Sequence, residues 1–151
     1  METLEPILAE HPVFKGLDPQ YIKLMVGCAS NVRFNQGEFI TRDGDQADEF
    51  YLIRAGSVAL DVYSPTKGEI TYLTLREGEV VGWSWLVSPY RVHGDVRAIQ
   101  ITRAIRIDAK CLREKCTKDP QLELELYKRF VPIIVDRVEA MTMQLLDVYS
   151  D

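Results

Sequence analysis

The sequence predicts a mainly β domain with flanking helices (α+β), and three observations carry that reading. From Asn31 to Ala109 the chain runs as short strand-like stretches separated by turn residues, with no helices alternating between them. That pattern argues for a sandwich or jelly-roll barrel rather than a parallel sheet. Before Asn31 and after Asp108 the apolar spacing changes to that of helices. With 151 residues, 46% hydrophobic and 27% charged, the chain has the balance of one soluble domain with its own core. The expected division is N-terminal helices over 1–30, a β-jelly roll over 31–108 with an insertion at 78–95, and C-terminal helices over 109–151.

Taken in order, Thr3 to Ala9 reads as a short helix, and His11-Pro12-Val13-Phe14 leads to a loop at Gly16. A second helix is better marked. Asp18 caps free N–H groups, Pro19 takes the first helical position, and Tyr21, Ile22, Leu24, Met25 and Cys28 form an apolar stripe. Strands are expected at Val32–Phe34, Glu38–Thr41, Glu49–Arg54, Ser57–Tyr63, Glu69–Leu75, Glu79–Val81, Asp95–Ile99 and Thr102–Asp108. Phe50, Leu52 and Ile53 with Val58, Leu60 and Val62 suggest a half-buried hairpin, turning at Gly56 with positive φ.

Asp108 is the expected cap of a helix over Ala109–Cys116, and Asp119-Pro120 opens a longer one. Within Leu122–Val148 the residues Tyr127, Val131, Ile134, Val138, Met141, Leu145 and Val148 recur at alternating steps of four and three, the spacing of a coiled-coil seam. Pro132 is expected to kink this helix, leaving Leu122, Leu124, Leu126, Phe130 and Ile133 to pack on the barrel. The distal half has little of its own chain to pack against, so the seam implies a parallel homodimer.

The net charge of −5, without a basic tail, gives no reason to expect nucleic acid or an anionic membrane as partner. No apolar run spans a bilayer, and Met1–Glu10 carries acids where a signal peptide carries bases, so a cytoplasmic location is expected. Three cysteines without a Cys-x-x-Cys pair suggest reduced thiols rather than a disulfide framework, a zinc site or a four-cysteine iron–sulfur cluster. Asp43, Asp45, Asp48 and Glu49 lack the spacing of a calcium loop. No nucleophile–base pair has supporting context, so no catalytic residues, metal or cofactor are expected and the chain does not read as an enzyme.

The segment Gly78–Ala98, GEVVGWSWLVSPYRVHGDVRA, interrupts the strands with a glycine-led turn carrying Trp83 and Trp85. A short helix here would aim its unpaired N–H groups at an anion. Upstream, Phe34–Tyr63 shows GEFI, DGD, FYLI and GSV in the order and spacing of the cyclic nucleotide-binding domain family, which the chain resembles over nearly its whole length. The resemblance implies a double-stranded β-helix jelly-roll barrel with N-terminal helices and a long C-terminal helix. It also makes 78–95 a phosphate-binding cassette. The cassette departs from the family pattern where ligand contacts are expected. Trp83 stands at the ribose-binding glutamate, Val92 at the phosphate-binding arginine, and Arg91 one residue early.

The candidate ligand-binding residues are therefore Gly82, Trp83, Ser84, Trp85, Arg91, Val92 and His93. Arg91 reads either as a replacement phosphate contact or as a solvated loop arginine, and His93 as a ligand contact or a surface histidine. Each tryptophan is either a pocket cover or a core aromatic. Arg97 and Arg103 are expected to face solvent. The resemblance implies a small anionic ligand, cyclic AMP ahead of cyclic GMP, and signalling to a downstream protein partner through a helix that dimerises by Tyr127, Val131, Ile134, Val138, Met141 and Leu145. The alternatives are a protein-interaction module with a pocket filled by Trp83, and the effector part of a regulator trimmed at Asp151, where relatives resembling catabolite activator protein continue into a DNA-reading domain.

Overall fold

The computed structural model describes residues 3–149. Helices α1 (Leu4–Glu10) and α2 (Pro19–Val26) precede eight strands: β1 (Ala29–Phe34), β2 (Phe39–Thr41), β3 (Glu49–Ala55), β4 (Ser57–Ser64), β5 (Gly68–Arg76), β6 (Val80–Val81), β7 (Asp95–Ala98) and β8 (Thr102–Asp108). Helices α3 (Ala109–Lys118) and α4 (Pro120–Tyr149) follow. The strands form two antiparallel four-stranded sheets, ordered β1-β8-β3-β6 and β2-β7-β4-β5. This is the jelly roll with flanking helices that the sequence implies.

Local chemistry sets the helix starts. Asp18 accepts a hydrogen bond from Gln20 N with Pro19 in the first turn, and Asp108 accepts one from Cys111 N. Two cores result. Phe50, Leu52, Ile105 and Ile107 pack outward against Leu8, Phe14, Met25, Leu112, Leu126 and Phe130 of the helical layer. Tyr51, Ile53, Val58, Leu60, Val81 and Val96 fill the space between the sheets. Because β3 has cover on both faces, Phe50 to Ile53 are all buried, not alternately exposed.

Several expectations change here. β3 and β4 are not a hydrogen-bonded hairpin, since they belong to different sheets and the chain turns a corner between them at Gly56. Gly56 has φ +101°, and a Cβ there would lie 2.5 Å from Ile101 O and 2.7 Å from Thr102 Cα. Leu124 is exposed rather than packed on the barrel, whereas Leu122, Leu126 and Phe130 are fully buried. The helix continues through Pro132 to Tyr149.

The expectation of three reduced thiols is also corrected. Cys28 at the end of the N-terminal helices is joined to Cys111 of α3 by a disulfide, and Cys116 alone is free and buried. A sequence separation of 83 residues hides this pairing from spacing arguments, because only the return of β8 beside β1 brings α3 next to α2. The distal half of α4 has more of its own chain to rest on than its length suggests. Arg137 donates to the carbonyl of Val80 and Gln144 to that of Tyr72, which ties the helix across β6 and β5.

Candidate functional site

The segment after β6 is fixed by backbone chemistry on one side and by α3 on the other. Gly82 takes φ +97°, which L side chains rarely adopt, and turns the chain out of β6. Ser84–Leu86 then form one 3-10 turn, in which Leu86 N and Val87 N are satisfied by the carbonyls of Trp83 and Ser84. This is less of an N–H cradle than the sequence led one to expect. The Ser88–Pro89 peptide is cis and Tyr90 has φ +60°.

Beyond Tyr90 the segment pairs with the loop after β2. Ala47 N donates to Tyr90 O (2.7 Å), Val92 N to Asp45 O (2.9 Å) and Gly44 N to Val92 O (2.9 Å). Asp43 accepts from Gly94 N and Asp45 from Arg42 N, so the acidic cluster of the sequence serves as turn and loop acceptors. Asp48 faces Lys110 and Arg113 at 3.6 and 3.9 Å. No group of three or more His, Cys, Asp or Glu side chains that could hold a metal ion occurs among the described residues. From α3, Arg113 donates to Trp85 O (3.0 Å) and lies over the Tyr90 ring at 4.4 Å, which positions the turn from behind.

Between this segment, the inner face of β4 and the distal half of α4 lies a cavity of ≈ 550 Å³. That is within the range of small-molecule sites. Gly82, Trp83, Ser84, Trp85, Val92 and His93 all line it, but Arg91 does not. The Arg91 guanidinium is turned onto Gly44 O at 3.2 Å, with the Gln46 side-chain oxygen also within reach. Trp85 is fully buried, stacked on Phe50 with ring centroids 4.6 Å apart and edge-on to Phe130. Trp83 is partly buried and packed on the same core without filling the hollow. Arg97 is half-buried rather than free in solvent, its Nε 3.3 Å from the buried carboxylate of Asp61, which also accepts from Thr71 Oγ1.

Sequence reasoning missed the roof. Arg137, Met141, Gln144, Leu145 and Val148 of α4 face the cavity, at steps of four, three, one and three residues that keep them on one helix face. Met141 and Leu145 thus line the cavity of their own chain, while Tyr127, Val131, Val138 and both of them also remain partly open to solvent. Ile134 is half-buried.

Arg137 is the unusual member. It is 8% exposed, and among the described residues it donates to the Val80 carbonyl and forms no ion pair. Burial pulls its pKa below the ordinary guanidinium value, with Glu79 and Tyr72 nearby opposing the shift. Its signal was present in the sequence. Continuing the core stripe Leu122, Leu126, Phe130 along the helix by seven residues lands on an arginine. Glu49, also in the lining, accepts from the Tyr51 hydroxyl. That hydroxyl has its pKa pushed up by burial and by Glu49.

Comparison with known proteins adds the following. A family model described as "Cyclic nucleotide-binding domain" matches residues 31–119. A "CRP-like cAMP-activated global transcriptional regulator" of Mycobacterium tuberculosis is 22% identical over 125 residues, covering 83% of this chain and 56% of the regulator. The chain thus spans little more than half the length of that relative. Among solved structures, a putative cyclic nucleotide-binding protein from Geobacter metallireducens GS-15 superposes with a TM-score of 0.80 at 22% identity, covering 91% of this chain and 99% of that one. A cyclic nucleotide-binding domain from Methylobacillus flagellatus KT superposes with a TM-score of 0.85 at 15% identity, covering 100% and 89%.

Proposed function

The chain belongs to the cyclic nucleotide-binding domain family, and from that premise we propose that it is a ligand-sensing regulatory module that holds a small anion in the cavity between the 82–96 segment and α4. The observation that carries this reading is a buried guanidinium, Arg137, in the wall of a hollow, with no direct ion pair to a carboxylate among the described residues. Glu79 nearby offsets its burial only in part, so the cation remains costly to bury, and an anion in the hollow would relieve that cost. The floor is held by backbone bonds to the 43–47 loop, whereas the roof is a helix with a free outward face. Occupancy is therefore reported by α4, because a ligand shifts an element only to the extent that it binds one position of it better than another.

The related regulator is cAMP-activated by name, which makes cyclic AMP, ahead of cyclic GMP, the first nucleotide to assay. Tyr127, Val131, Ile134, Val138, Met141 and Leu145 form the homodimer seam of this reading, and a cytoplasmic location goes with it. No helix among the described residues is long and apolar enough to cross a membrane. A second reading, a protein-interaction module, draws on the exposed stripe Val131, Val135, Val138 and Leu145. The unfilled cavity weighs against its self-filled pocket.

The test is calorimetry and thermal shift on the full chain with cyclic AMP, cyclic GMP, small carboxylates and small phosphates. Binding of any one of them, with slower amide exchange over 137–148, supports the reading. No heat and no shift from any at about millimolar concentration sinks it.

A further inference from the structure

The cavity's chemistry constrains its guest more narrowly than the family does. Resting on the reading that this cavity is a ligand site, we propose that its ligand is a carboxylate on an apolar or aromatic body, with the carboxylate on Arg137, rather than a cyclic nucleotide.

Charge comes first. Among the described residues lining the cavity, Arg137 is the one arginine or lysine. Arg91 is turned away onto Gly44 O, and Val92 occupies the place where the family's resemblance would put a phosphate-binding cation. Of the five N–H donors of a guanidinium, one on Nη2 goes to the Val80 carbonyl, and under the proposal a pair of the other four goes to a two-oxygen partner. One guanidinium balances one negative charge. That suits a carboxylate and a cyclic phosphodiester alike, both monoanions, and disfavours a phosphate monoester, whose charge of about −1.5 to −2 leaves a surplus with Glu49 in the same lining. The choice between the two monoanions therefore falls to the walls. Glu49 lies three positions along β3 from Leu52, the partner of Val80, or roughly 10 Å by strand rise.

The walls come second. Leu60, Val62 and Val96 line one side, Trp83 and Val92 the turn, and Leu145 the roof. Polar side chains, Thr41, Glu49, Tyr72, Ser84, His93 and Gln144, are interspersed in the lining, but any sugar hydroxyl or purine ring nitrogen set against the apolar walls would give up water without gaining a partner. An aryl or branched alkyl group loses nothing there and gains burial. The second hollow, ≈ 520 Å³ on the other side of Arg137, contains Lys128, Arg129, Glu79 and Asp136, so it already holds both signs of charge and lacks this combination.

The experiment titrates the full chain with 1-naphthaleneacetate, 4-phenylbutyrate and cyclic AMP, with 1-naphthaleneacetamide as the uncharged counterpart of the first. Calorimetry is the readout, with tryptophan emission as a second. The expected result is binding of at least one carboxylate, at least tenfold weaker binding of the amide, and a similar loss in Arg137→Gln with partial recovery in Arg137→Lys. The acid–amide comparison needs no substitution, so it stands even where a variant misfolds. Carboxylate binding that is equal for acid and amide, or unchanged in a folded Arg137→Gln, overturns the proposal. Binding of cyclic AMP without either carboxylate also overturns it and leaves the ligand-sensing reading intact. No binding by any of the probes overturns it as well, and if the wider anion panel also fails, the ligand-sensing reading falls with it.

Discussion

Opening the Cys28–Cys111 bond tests the corrected view of the N-terminal layer. The bond closes a loop with a sequence separation of 83 residues. In the chain-entropy account, cross-linking a loop of that length removes about 15 cal/mol/K from the unfolded ensemble, or about 4.5 kcal/mol at room temperature. With unfolding entropy near 2.1 cal/mol/K per residue over 151 residues, that corresponds to a fall in Tm of about 14 °C. The assay is urea and thermal unfolding of the parent with and without reductant, and of a Cys28→Ser, Cys111→Ser double variant. Thiol counting supplies an internal check. Cys116 is 5% exposed, and burial first, then Glu123 and Asp119, push its thiol pKa up to about 11. Native oxidised protein should therefore show almost no fast-reacting thiol, denatured oxidised protein one, and denatured reduced protein three. Three thiols in unreduced denatured protein, or unfolding curves indifferent to reductant, would refute the reasoning. The outcome also bears on location, since such bonds are rare in a reducing cytosol.

Other outcomes follow from single sites. His11 is buried, hydrogen-bonds through Nε2 to Ile53 O, and has its pKa held below the ordinary 6.5, chiefly by desolvation. The unfolded chain therefore binds more protons as pH falls through that value, so stability should drop between about pH 7 and pH 5. A His11→Gln variant should lose that part of the pH dependence, and identical pH profiles would contradict the assignment. Gly56→Ala should lose more than about 2 kcal/mol in urea unfolding, because positive φ and overlap with the backbone of Ile101 and Thr102 act together; a loss under about 1 kcal/mol would show that the corner can relax. Ile134→Glu should convert dimer to monomer in sedimentation at micromolar concentration, and an unchanged mass would remove the seam.

How much of this could be read in advance varies with the range of the interaction. Strand β8 and the capped starts of α2, α3 and α4 were legible because turn residues, period and cap chemistry are local. The β3–β4 corner was misread as a hairpin because a strand buried on both faces and a turn glycine look alike whichever sheet the next strand joins. The disulfide and the α4 roof depend on contacts across the whole chain. Arg137 stood on a visible stripe, yet a seam of fours and threes through Ile134, Val138 and Met141 describes almost the same helix face and drew the eye outward. In the cassette, a substitution at Val92 was implied by the family resemblance. The fate of Arg91 was not, since it rests on the carbonyl of a loop far away in sequence.

Met141, Leu145 and Val148 touch the hollow on one side and stand partly in water on the other. Whatever settles on their outer surface therefore alters the chamber beneath, and by thermodynamic reciprocity whatever fills the chamber alters the grip outside. If a second copy provides that outer cover, affinities titrated at dilute and at concentrated protein will disagree, and the size of the disagreement will measure the coupling directly.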